Sequence, residues 1–166
     1  MYRKFTLAAF GALALLALAA CTDKPQAAAA PSTDTIQLTT YKSASCGCCK
    51  LWVDHAKDSG FAVEAVDVAD LNAVKNQHRI EAEFQSCHTS VSEQGYVFEG
   101  HIPAKLIRQF LQNPPADARG LAVPAMPLGS PGMEYENRFT PYQVWQLNGD
   151  GSQQVYATID SAREQF

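Results

Sequence analysis

Beyond residue 20 the chain lacks any stretch apolar enough to cross a bilayer, which takes about 20 residues. No mature transmembrane helix is expected. No glycine-rich phosphate loop precedes a helix, and no serine or carboxylate pair announces hydrolysis, so nucleotide chemistry and hydrolase readings fall away. There is no internal repeat. Basic residues are also short. The whole chain has 13 Lys and Arg against 17 Asp and Glu. Removing the first twenty residues takes away Arg3 and Lys4, leaving 11 against 17, a net charge of −6. Such a surface excludes nucleic acid as a partner. A length of 166 residues with 46% hydrophobic composition fits one globular domain plus a targeting segment.

What is present begins with that segment. Arg3 and Lys4 precede an apolar run from Leu7 to Ala20, the layout of a secretory signal peptide over residues 1–20. The run closes on Leu18-Ala19-Ala20-Cys21, which resembles the bacterial lipobox, where cleavage leaves a diacylated Cys as the first residue. An ordinary signal peptide with a chance Cys, or a retained anchor helix, is the alternative. Acyl chains on Cys21 would tether the protein to a lipid bilayer, each buried methylene adding about 0.8 kcal/mol. Thr22, and not Asp, follows Cys21, which favours the periplasmic face of the outer membrane. Residues 22–35 read as a flexible tether, with Pro25, four consecutive alanines and Pro31. The folded domain is expected over residues 36–166.

Four cysteines remain in the mature chain, three of them within Cys46-Gly47-Cys48-Cys49. Exported domains ordinarily distribute cysteines as structural disulfides along the chain. Three within four residues cannot make two such staples. The cluster calls for another explanation.

Residues 36–42 alternate as a half-buried strand, and Ser45 or Cys46 caps a helix running to about Ser59, where Gly60 supplies the stop. Residues 62–68 read as a second strand. Asp70 opens a short helix with Leu71 and Val74 on one face, reaching about His78. Residues 96–99 form a short strand, and Pro103 begins a helix with an apolar stripe of Leu106, Ile107, Phe110 and Leu111, stopped at Pro114. The segment 119–137, rich in Pro and Gly, is too broken for regular structure. Its length marks it as functional or mobile. Residues 142–147 and 153–159 alternate about Asn148-Gly149-Asp150-Gly151, a hairpin signal. A cysteine motif after the first strand of such a series suggests an α/β, thioredoxin-like fold with a C-terminal β-hairpin.

The motif falls at a strand-to-helix turn, where unpaired N–H groups and the helix dipole favour thiolate. That position serves metal binding and disulfide exchange alike. Cys46 and Cys49 alone have the spacing of a thiol oxidoreductase. Cys48 is superfluous to exchange and useful to a metal site, since thiolates can bridge soft ions. Cys87 adds a fourth sulfur if the strand it precedes lies beside the first; otherwise it is a small buried side chain. Sulfur ligands select copper(I), zinc or iron–sulfur clusters. Met126 and Met133, in the broken segment, tilt the choice to copper(I) if they are ligands and not packing residues.

His55 lies about 10 Å along the helix axis from Cys48, too far to share an ion. It and His78 read as surface residues. His88 adjoins Cys87, and both can face one site only if the backbone turns there. His101, before Pro103 at a strand-to-helix turn, is a further candidate ligand.

The stretches Tyr41 to Val53, Ser86-Cys87-His88-Thr89, Gly95 to Ala104 and Gly120 to Glu134 resemble the metal-binding family that includes the bacterial copper-resistance protein CopG. The resemblance covers nearly the whole mature domain. It implies a thioredoxin-like fold, a periplasmic setting and copper handling, with Cys46, Cys48, Cys49 and Cys87 as ligands to one or more copper ions and periplasmic copper-handling proteins as candidate partners. Ala44 and Ser45 stand where Pro and Thr are expected, and Ala125 where Gly is usual. Ala125 bears on the loop's shape, because Gly reaches conformations that Ala avoids. The competing readings are a thiol-disulfide oxidoreductase using Cys46 and Cys49, and a structural zinc site in an interaction module.

Overall fold

The computed structural model describes residues 35–166. The expected signal segment, the lipobox with Cys21 and most of the tether lie outside the described residues. Seven strands form one mixed sheet: β1 (Gln37–Lys42), β2 (Ala62–Asp67), β3 (His88–Ser92), β4 (Val97–Glu99), β5 (Ala118–Ala122), β6 (Tyr142–Asn148) and β7 (Gln153–Ile159), in the order β2-β1-β3-β4-β5-β6-β7. The β1–β2 and β4–β5 pairs are parallel and the other four antiparallel. Three helices join them: α1 (Gly47–Asp58), α2 (Leu71–Gln77) and α3 (Ala104–Gln112).

Local signals place most of these elements. Asp70 accepts from Ala73 N–H and caps α2, as its position predicts. Gly60, at φ +85°, ends the α1 region in a conformation only Gly holds easily. Pro103 is the cap of α3, one residue before the helix proper.

Strand alternation separates two cores. On one face Leu38, Phe98, Leu121 and Val144 pack with Trp52, Val53 and Ala56 of α1 and with Ile107 and Phe110 of α3. On the other, Val97, Ala122 and Leu147 meet Ile80 and Phe84. Lys75 of α2 also lies there, buried, donating to Glu99 and to Thr89.

One expectation fails. Residues 119–122 belong to β5, inside the sheet, although the whole segment 119–137 reads as irregular. Gly120, Leu121 and Ala122 are buried, so the strand shows no alternation, as usual when both faces are covered. Gly120 at φ +156° breaks the pattern further, and a Cβ there would sit 1.8 Å from the Val97 carbonyl oxygen. Beyond Val123 the segment is irregular. Ala125 takes φ +57°, a left-handed conformation costing an L-residue roughly 1–2 kcal/mol, so the Ala-for-Gly departure falls where Gly would be unstrained.

Candidate metal centre

β3 runs antiparallel beside β1 with His88 opposite Lys42, the last residue of β1. That register sets Cys87 next to the turn from β1 into α1, meeting the condition for a fourth sulfur. The turn is closed by Cys46 N–H donating to the Ser43 carbonyl. Cys46 then caps α1, its sulfur accepting from Cys49 N–H at 3.4 Å.

Cys46, Cys48, Cys49 and Cys87 place their sulfurs within 4.8 Å of one another. Cys46 and Cys49 are joined as a disulfide, and Cys48 and Cys87 are free thiols. Cys48 Sγ lies 3.6 Å from Cys46 Sγ and 3.9 Å from Cys87 Sγ. Cys49 is fully buried, while the other three are half-buried and open the cluster to solvent. The helix-dipole argument applies to the motif but not to Cys87, which is outside the helix. Burial, and then the neighbouring Cys48 sulfur, push the Cys87 thiol up to about 12. A metal binding there must displace a proton.

Both candidate histidines reach Cys87. His101 Nε2 is 3.0 Å and His88 Nδ1 3.4 Å from its sulfur, and both rings are fully buried. Cys87 precedes the first residue of β3, so strict strand alternation does not hold its side chain opposite to that of His88. The Pro131 carbonyl, 2.8 Å from His101 Nδ1, can only accept. It therefore fixes the proton on Nδ1 and leaves Nε2 as a bare lone pair toward the sulfur. Burial lowers the pKa of both rings, His88 well below its ordinary value. His88 Nε2 is a buried nitrogen without a hydrogen-bond partner among the described residues, which costs about 1–3 kcal/mol if nothing meets it.

Met126 is half-exposed and Met133 partly buried in the irregular segment. His55 is not a simple surface residue: its Nε2 accepts from Ala104 N–H at 3.2 Å and so caps α3, and burial lowers its pKa. His78 ends α2, partly buried.

Sequence reasoning missed three supports of this centre. Trp52 of α1 packs against His88 with ring centroids 4.5 Å apart and the planes tilted by 42°, and donates to the Ile102 carbonyl. The Pro131 carbonyl orients His101 and carries no sequence signal. Glu99 accepts from Ser86 N–H at 2.7 Å and from the Thr89 hydroxyl at 2.6 Å, gripping the chain on both sides of Cys87 and His88. A signal for its partner did exist, because Lys75 lies four residues after Leu71 on the inward side of α2.

The sheet and its sulfur cluster define a mixed α/β protein with a soft-donor centre able to hold a metal. The family model described as "Protein of unknown function, DUF411" matches residues 84–133. Two solved structures, both named Copper resistance protein copG, are 40% identical to the chain. The Form 2 structure covers 76% of this chain and 99% of its own at a TM-score of 0.72. Form 1 covers 76% and 98% at 0.71. The chain belongs to this DUF411 family of CopG-like proteins. A comparison with curated proteins gives no match. Family and cysteine cluster together support a copper-binding role.

Proposed function

We propose that the protein captures copper(I) in the bacterial envelope, with Cys46, Cys48, Cys49 and Cys87 as thiolate ligands to one or more ions and with Met126, Met133 or His101 completing the site. The observation that carries this reading is the convergence of four sulfurs, one of them from a distant strand, within 4.8 Å. Compact thiolate sets select soft ions, and two of these sulfurs gain ligand character only when the Cys46–Cys49 disulfide is reduced by two electrons. Capture is therefore coupled to the redox state of the pair, and interconversion of copper(I) and copper(II) is a natural extension. Zinc suits four thiolates as well, but the copper-resistance relatives favour copper. We read the cysteine turn between β1 and α1, with β1 and β2 parallel, as a thioredoxin-like arrangement, and β6 with β7 as its C-terminal hairpin.

The second reading, a thiol-disulfide oxidoreductase, is favoured by one observation: Cys46 and Cys49 form a disulfide at the start of a helix. Anaerobic copper(I) titration of the reduced protein against a competing chelator separates the two. Copper capture predicts that Cys48→Ser weakens binding by more than about 100-fold, beyond the usual effect of outer-shell changes, while His55→Ala changes it little. Equal effects of the two substitutions would sink the site assignment. Insulin reduction that survives Cys48→Ser, without competitive copper binding, would establish the oxidoreductase.

The lipobox supports anchoring through Cys21 on the periplasmic face of the outer membrane. Cys21→Ser should then move the protein from the membrane fraction to the soluble periplasmic fraction. Unchanged membrane recovery would count against the acyl anchor.

A further inference from the structure

We propose that the groove between the outer face of α1 and the irregular segment docks a protein partner through a basic segment that carries apolar side chains. The proposal deepens the copper reading above and rests on it only for what such a partner exchanges.

α1 has a face that the core does not use. Cys49, Trp52, Val53 and Ala56 are buried, whereas Leu51, Asp54, His55 and Asp58 recur at helical spacing on the opposite side. Those four line a groove of about 470 Å³ whose other wall includes Gly132, Glu134 and Phe166. A second hollow, of about 410 Å³, shares Glu134 and Phe166 and continues past Tyr135, Glu136 and Arg138. The two therefore meet.

The lining is apolar in its middle and acidic at its rim. Leu51, Tyr135 and Phe166 are 56%, 55% and 75% exposed, three of the five large hydrophobic side chains that are exposed among the described residues. Scattered singly they would need no explanation, but gathered and rimmed by charge they mark an interaction site. Asp54, Asp58, Glu134 and Glu136 supply four carboxylates against the Arg138 guanidinium. Burial lowers the His55 pKa, so that ring adds no positive charge at pH 7.

This balance selects the occupant. A second copy of so acidic a chain, an anionic lipid surface or a nucleic acid meets like charge here, whereas a basic segment gains from both the carboxylates and the apolar contacts. The floor is also pinned in advance. Gln165, beside Phe166, donates to the Gly129 carbonyl at 2.9 Å and accepts from the Tyr142 hydroxyl at 2.6 Å. Tyr135 is held at the mouth by a tight turn, closed by Arg138 N–H on the Tyr135 carbonyl at 2.9 Å. A partner seated there lies beside the cysteine turn, because Leu51 is about one helical turn beyond Cys48.

The test is photo-crosslinking in the bacterium's own envelope, with the full chain carrying Tyr135→benzoylphenylalanine. The control is Val155→benzoylphenylalanine, since Val155 is 44% exposed on β7 and lines neither hollow. The expected result is a discrete protein adduct from position 135 and none from 155, the crosslinked peptide being rich in Lys and Arg by mass spectrometry. Asp54→Lys/Asp58→Lys should cut the adduct yield by about 10-fold or more, because like charge then faces the basic segment. Leu51→Ser should cut it by about 5-fold or more, a loss that a purely ionic encounter does not show. Both variants should match wild type in circular dichroism and in copper(I) titration, as neither alters a sulfur. If the lysine variant fails to fold, Asp54→Asn/Asp58→Asn takes its place. No adduct from position 135, an adduct to a second copy of the chain or to lipid, a crosslinked peptide without a basic surplus, or a yield indifferent to either folded variant overturns the proposal. A wild-type protein that gives the adduct but binds no copper(I) would overturn only the capture reading.

Discussion

Lys75→Met should destabilise the protein by about 3–5 kcal/mol, because it strands the Glu99 carboxylate without its counter-ion. Glu99 has no exposed surface and Lys75 only 3%. Burial pushes the Glu99 pKa up, while Lys75, Thr89 and the Ser86 N–H oppose that rise. Removing the ammonium leaves hydrogen bonds from Thr89 and Ser86, which cannot neutralise the charge. The double variant Lys75→Met/Glu99→Gln should recover most of the loss, since a neutral amide can still accept from Ser86 N–H and donate to Thr89. Urea unfolding at pH 7 measures both. A Lys75→Met midpoint close to wild type would mean that Glu99 is relieved by taking up a proton, and that the pair contributes little. The network also ties stability to the centre, because Ser86 and Thr89 flank Cys87 and His88.

The second large effect is expected at Gly132, where the irregular segment crosses α1. Gly132 has φ +82°, and a Cβ there would sit 2.6 Å from Trp52 N and 2.8 Å from the Cys48 carbonyl oxygen. Both are backbone atoms of α1 and cannot swing aside. Gly132→Ala adds a left-handed penalty of roughly 1–2 kcal/mol to an overpacking cost of roughly 1–3 kcal/mol. For a domain of this size the sum lowers Tm by roughly 10 °C. Moving the segment off α1 also carries the neighbouring Pro131 carbonyl away from His101 Nδ1, so copper affinity should fall together with Tm. Differential scanning calorimetry and chelator competition on the same variant check the pair. An unshifted Tm would show that the segment does not dock on α1 this tightly.

Much of the fold is legible in short-range pattern. The alternation of residues 36–42 and 62–68, the Asp70 cap and the Gly60 stop each depend on neighbours a few positions away, and those elements appear where expected. β5 is not legible, because burial on both faces removes the alternation that marks a strand, and Gly120 is there for the close approach of β4. His55 is misread for a related reason. Its partner, the Ala104 N–H, is 49 positions away. No helical wheel shows it.

The chemistry on offer is legible in the chain alone: three thiols in four residues at a strand-to-helix turn, too dense for separate staples, with a further thiol at Cys87 and candidate imidazoles at His88 and His101. Which of these meet depends on how distant segments pack. The antiparallel register of β3 on β1, with His88 opposite Lys42, brings Cys87 to the turn. The folding of Pro131 against His101 then aims an imidazole at the same sulfur. Local pattern sets periodicity and caps through neighbours a few residues apart. Strand register and loop docking are settled by the burial of whole faces, and that depends on every element at once.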